Sequence, residues 1–125
     1  MNTLLAVFIG GGLGSLARFG ISVFSLKYIN GAFPWGTLIS NTVACIIVAL
    51  TVVFFKEKIE SQTMVRFFII SGFCGGFSTF STFSFETYAL FRNEHLWLGI
   101  LNISISLFLG LFIMFYVLKD AHWNV

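Results

Sequence analysis

The sequence predicts an all-α integral membrane protein with four transmembrane helices, and three observations carry that prediction. Hydrophobic residues make up 58% of the chain and charged residues only 10%, where a soluble domain carries about 25% charged residues. The mean hydropathy is +0.95. The few charged residues punctuate long apolar stretches, each near or above the roughly 20 residues needed to cross a bilayer. Four spans take up about 80 residues of the 125, which leaves short connections and no separate soluble domain.

The first apolar stretch runs from about residue 4 to 26 and closes at Lys27. No basic residue precedes it and no small-residue cleavage pattern follows it, so it reads as a retained helix and not as a secretory signal. The connection Tyr28-Ile29-Asn30-Gly31-Ala32-Phe33-Pro34 holds the only proline, a residue that suits the first turn of a following helix. The second span covers about 35–55, and the charged run Lys56-Glu57-Lys58-Ile59-Glu60 after it is expected to be a solvated loop. The third covers about 64–91, roughly 40 Å of helix against a hydrocarbon core of about 30 Å. It must tilt or break, and Gly72, Gly75 and Gly76 followed by a Ser/Thr-rich run give a break a ready cause. The fourth covers about 95–118, ahead of Lys119 and Asp120, so residues 1–125 read as a single four-helix transmembrane domain.

Several function classes drop out. A net charge of +2 from scattered basic residues does not point to nucleic acid. Cys45 and Cys74 each sit in apolar sequence, where free cysteine acts as a small hydrophobe, and their spacing matches neither a disulfide framework nor a metal site. His95 and His122 flank the last span with no second ligand at metal spacing. Gly12-Leu13-Gly14-Ser15-Leu16-Ala17 fits a dinucleotide pattern but lies in a membrane helix, not at a strand-to-helix turn. There is no Walker A loop and no Ser/His/Asp or Cys/His constellation, so no enzyme is predicted. Gly10 with Gly14, and Gly72 with Gly76, have the spacing of close helix contacts.

Charge sets orientation only weakly. Lys56, Lys58, Arg66 and Lys119 fall on one side of a four-span chain, and Lys27 and Arg92 on the other. Either both termini are cytoplasmic, or the chain inserts both ways and forms an antiparallel homodimer.

The densest unusual stretch runs from Gly72 to Phe85. In it Ser78, Thr79, Ser81, Thr82 and Ser84 alternate with Phe73, Phe77, Phe80, Phe83 and Phe85. Small residues and hydroxyls of this kind serve either helix packing or a permeation site. Non-helical backbone at membrane depth is tolerated only where it lines a cavity or is buried in protein, and freed carbonyls, hydroxyls and helix N-termini can meet ions. Phe80 and Phe83, three residues apart, share a helix face, and their positive ring edges can face an anion. Asn41 lies inside the second span as either an interhelical brace or an anion donor. Arg18, deep in the first span, must snorkel, pair or face water. Glu86 follows the hydroxyl run toward an expected aqueous mouth. Asn102 and Ser106, four apart, offer a polar track on the fourth helix or a packing contact.

Three of these motifs resemble the Fluc (CrcB) fluoride-channel family: Gly11-Gly12-Leu13-Gly14-Ser15-Leu16-Ala17-Arg18-Phe19, Gly36-Thr37-Leu38-Ile39-Ser40-Asn41, and the run GFCGGFSTFSTFS from Gly72. They fall in order, one per span, and the likeness covers essentially the whole chain. The resemblance implies a dual-topology antiparallel homodimer in a bacterial inner membrane, with the third helix broken near its middle and two fluoride pores. It places Phe80, Phe83, Asn41, Thr79, Ser81, Thr82, Ser84 and Ser106 along the pore, with Arg18 at a vestibule; Glu86 joins that vestibule by its position. It also implies a structural sodium ion at the dimer centre, held by backbone carbonyls at Gly75 and Ser78. Two positions depart from the pattern: Ser78 stands where threonine is frequent, and Asn102 where tyrosine is common.

The expected function is passive, selective fluoride export that protects the cell from fluoride. A small multidrug-type proton-coupled exporter needs a carboxylate in its first helix, and this chain has no Asp or Glu before Glu57. A membrane anchor for a haem enzyme needs inward axial histidines, which the positions of His95 and His122 do not supply.

Overall fold

A computed structural model describes residues 2–55 and 63–121. The charged run at 56–60 and His122 lie outside the described residues. Helix α1, Thr3–Tyr28, starts where the Asn2 side chain accepts the Leu4 amide at 3.0 Å. It ends with Lys27 in the last turn, where a cation meets the negative pole of the helix. Gly31, at φ +130°, turns the chain back, and Pro34 caps α2, Trp35–Phe54.

The third crossing is built in pieces. A single α-helical turn, α3, Thr63–Arg66, passes into a π-helix, Phe67–Cys74, and then a short turn, α4, Gly75–Phe77. Ser78 (ψ 158°) and Thr79 (φ −153°, ψ 122°) are extended, and α5, Phe80–Arg92, resumes from Thr79 as its N-cap. A tight turn with Glu94 at φ 64° leads to α6, Leu96–Leu118. Among the described residues there are thus four apolar crossings long enough to span a membrane, the third of them interrupted.

The packing is that of a protein dissolved in lipid. Large apolar side chains such as Leu4, Phe8, Phe54, Trp97 and Phe115 face outward, while the buried set is mostly small: Ala6, Ala44, Ala49 and Cys74 beside Leu38, Phe77 and Leu90. With tails as apolar as leucine outside, close backbone contact holds the helices together. The nearest contact is between α1 and the π segment. A Cβ on Gly14 would overlap the Phe73 carbonyl and come within 2.9 Å of the Phe77 nitrogen. One on Gly72 would lie 3.0 Å from the Val7 carbonyl oxygen, and Gly10 and Gly76 meet the opposite backbone in the same way. Both G-x-x-x-G spacings are therefore sites where backbones touch.

On the other side, α6 lies against α2 and α5. Gly99 admits the Phe91 ring, with Cδ1 at 2.7 Å from the position of a Cβ. Asn102, 1% exposed, donates to Thr87 Oγ1 at 2.9 Å, and that hydroxyl donates to the Phe83 carbonyl at 2.7 Å. Lys27 sits over the Tyr28 ring at 5.3 Å, and Lys119 over Tyr116 at 5.1 Å. These pairs, at opposite ends of the bundle, are suited to the two membrane–water interfaces.

Candidate permeation site

The interruption at Ser78–Thr79 frees backbone groups that a continuous helix would pair, and the fold answers most of them with specific side chains. The Asn41 amide bridges Thr79 in both directions: its Oδ1 accepts the Thr79 amide at 2.8 Å, and its Nδ2 donates to the Thr79 carbonyl at 3.2 Å. In effect a side chain supplies the pairing that a neighbouring strand would. One amide hydrogen of Asn41 remains over. The Thr79 hydroxyl accepts the Thr82 amide at 3.1 Å, capping α5, and lies 3.3 Å from the Ser81 hydroxyl. The Ser78 amide and hydroxyl both donate to the Cys74 carbonyl, at 2.9 and 2.7 Å. The Ser15 hydroxyl reaches the Gly76 carbonyl at 3.5 Å.

The carbonyls of Gly75 and Ser78 are among those left over. Among the hydrogen bonds of the described residues, none is donated to the oxygens of Gly75 or Ser78. Unwound backbone carbonyls at a helix break are the donors that membrane proteins offer to Na⁺. One chain contributes two such oxygens, short of a full coordination shell.

Beside the break lies a cavity of about 420 Å³, which Gly75, Ser78, Thr79, Asn41, Phe80, Phe83 and Ser106 help to line. The Phe80 and Phe83 rings are 6.1 Å apart at 37° to one another, and Phe80 is 81% exposed. The Ser106 Oγ is buried with no hydrogen-bond partner, so the cavity has an uncommitted hydroxyl on its α6 wall. Asn102 does not take part in the cavity; its amide is spent on Thr87.

Thr82 faces elsewhere. It lines a second hollow of about 260 Å³ with Ser15, Arg18, Phe19, Ser22 and Thr37. Glu86, one turn further along α5, is partly buried, and its Oε2 has no hydrogen-bond partner. Ser84 is exposed and returns its hydroxyl to the Phe80 carbonyl at 2.9 Å. The hydroxyl run therefore divides: Ser78 and Thr79 border the cavity, Thr82 borders the Arg18 hollow, and Ser81 and Ser84 lie exposed on α5.

Sequence reasoning missed Ser15, Ser22, Thr37 and Thr87. A helical-face signal existed for the first three: Ser15, Arg18 and Ser22 repeat at three and four along α1, and Thr37 lies four before Asn41 on α2.

The family model described as "CrcB-like protein, Camphor Resistance (CrcB)" matches residues 5–118. A protein of Flavobacterium psychrophilum named fluoride-specific ion channel FluC is 35% identical over 111 residues, 89% of this chain and 90% of that protein. One of the same name from Desulfotalea psychrophila is 44% identical over 108 residues, 86% of this chain and 83% of the relative. Fluoride-specific ion channel FluC 1 of Yersinia pestis is 46% identical over 95 residues, 76% and 74% of the two chains.

Proposed function

The chain belongs to the CrcB-like family, and on that premise we propose that it is a fluoride-selective passive channel of the bacterial inner membrane. It lets fluoride leave the cytoplasm and so protects the cell. The observation that carries this reading is the broken third crossing, where Asn41 holds Thr79 open beside a cavity bordered by Phe80, Phe83 and the unpaired Ser106 hydroxyl.

The chemistry suits a small, strongly hydrated anion. A conducting site must replace its water with donors that are numerous and individually modest, so that the ion enters and also leaves. Phenyl ring edges, the spare Asn41 hydrogen and the Ser106 hydroxyl are neutral donors of that kind. The Arg18 guanidinium, with Ser15, Ser22, Thr37 and Thr82 around the second hollow, raises the local concentration of anions ahead of the narrow part. Glu86, one turn beyond Thr82 on α5, lies toward the aqueous mouth in this reading.

The working unit is an antiparallel homodimer with two pores. Two features support it: Phe80, a pore residue in this reading, is 81% exposed in one chain, and the two spare carbonyls at the break need more oxygens to close a cation shell. A structural sodium ion on Gly75 and Ser78 from both copies would supply a fixed positive charge that fastens the two helix breaks to each other. The weak positive-inside bias, four basic residues against two, is compatible with insertion in both orientations.

Growth of a bacterium lacking fluoride export tests the proposal. Expression of the chain restores growth in millimolar fluoride, and the Phe80→Leu, Phe83→Leu double variant, made to the same membrane level, does not. Equal rescue by the double variant would remove the phenylalanines from the pathway.

A further inference from the structure

Cys45 and Cys74, 29 positions apart in sequence, line the same cavity as Phe80 and Phe83, and so does Met114. Three helical elements supply the three sulfurs: α2, the π segment and α6. Cys45 Sγ points at α6, lying 3.5 Å from where a Cβ on Gly110 would be. Met114 is one turn beyond Gly110, on the same face. Cys74 belongs to the buried cluster with Ala44 and Phe77, on the side of the π segment that borders α2. It also directly precedes the helix break, its carbonyl taking both Ser78 bonds.

Two thiols and a thioether around one hollow form a soft donor set, which selects monovalent d¹⁰ cations over hard ones. No His, Asp or Glu among the described residues joins them to suit zinc instead. We propose that Cys45, Cys74 and Met114 form a binding site for a thiophilic monovalent cation of the Cu(I)/Ag(I) class, and that its occupation stops anion conduction. On binding, one thiol gives its proton to water as the sulfur–metal bond forms. The other thiol and the thioether coordinate as neutral donors, the metal stays at +1, and the filled site carries no net charge. The metal then occupies the space beside Phe80 and Phe83 and pins the residue before the break. The blocking half of the proposal rests on the cavity being the fluoride path; the binding half does not.

The test uses Ag(I), added as nitrate in chloride-free buffer to the purified full-length protein. Bound metal is measured on the detergent-solubilised protein, and fluoride efflux is measured from liposomes. The wild-type chain retains about one silver per chain after desalting, and silver stops efflux until dithiothreitol is added. Cys45→Ser and Cys74→Ser each abolish silver retention by the solubilised protein. Met114→Leu, which keeps the volume, weakens silver affinity about tenfold. Undiminished retention by either serine variant overturns the site, as does silver bound through Cys74 alone. Retention without block overturns the inhibitory claim. Absence of efflux before silver is added counts against the channel reading, and retention still decides the site.

Discussion

Replacing Asn41 with alanine separates a brace from a mere pore donor. The substitution removes two hydrogen bonds, 2.8 and 3.2 Å long, and leaves the Thr79 N–H and C=O unpaired at a helix break. Each orphaned group costs about 1–3 kcal/mol in a protein interior. Interhelical hydrogen bonds measured inside membranes average about 0.6 kcal/mol, because the unfolded reference also finds partners. Taken together these put the loss near 2 kcal/mol, a change of about 30-fold in the ratio of intact to opened structure. The loss should be visible as faster amide exchange at Thr79 and at the first turn of α5, and as a lower midpoint in thermal unfolding of the purified protein. Fluoride efflux should fall in parallel. If Asn41 serves only as a donor to the passing anion, efflux drops while exchange and midpoint stay at wild-type values, and the brace is refuted.

Three further substitutions probe neighbouring contacts. Gly14→Ala drives a methyl into the Phe73 carbonyl and toward the Phe77 nitrogen; the backbones must part, and a loss of about 1–3 kcal/mol appears as reduced yield of monodisperse protein. Ser106→Ala removes a hydroxyl that has no internal partner, so the unfolding midpoint holds or rises slightly while fluoride efflux falls, a split that packing alone does not produce. Thr87→Val strands the buried Asn102 amide at a cost of about 1–3 kcal/mol, read as a lower midpoint; restored stability in the Thr87→Val, Asn102→Leu double variant would confirm that the pair, and not volume, is responsible.

The crossings were legible because charge is so rare in this chain that Lys27 and Lys119 mark ends of spans. The interruption was legible from glycines followed by hydroxyls in a segment too long for one bilayer. Its internal structure was not. Nothing in Phe67–Cys74 announces π winding, and the segment lies against α1 at Gly10 and Gly14, residues far from it in sequence. The Asn41–Thr79 pairing spans 38 positions, so residue type alone left brace and anion donor both open. The hydroxyl run from Ser78 to Ser84 looked like one feature, yet successive residues on a helix point about 100° apart. That rotation sends Thr82 to the Arg18 hollow and Phe83 to the cavity. Asn102 and Ser106 do share a face of α6, but Thr87, an unremarked residue on α5, captures the asparagine. The two cysteines, bland in sequence, come to line one cavity because α2 and the π segment border the same space.

Anion efflux from liposomes bearing the purified chain and loaded with both potassium fluoride and potassium chloride tests the central claim most directly. With valinomycin added to carry the counter-ion, fluoride should leave within seconds while chloride stays until detergent releases it. Retention of fluoride, or release of chloride at a matching rate, would contradict the account of a fluoride-selective pore at the broken third crossing.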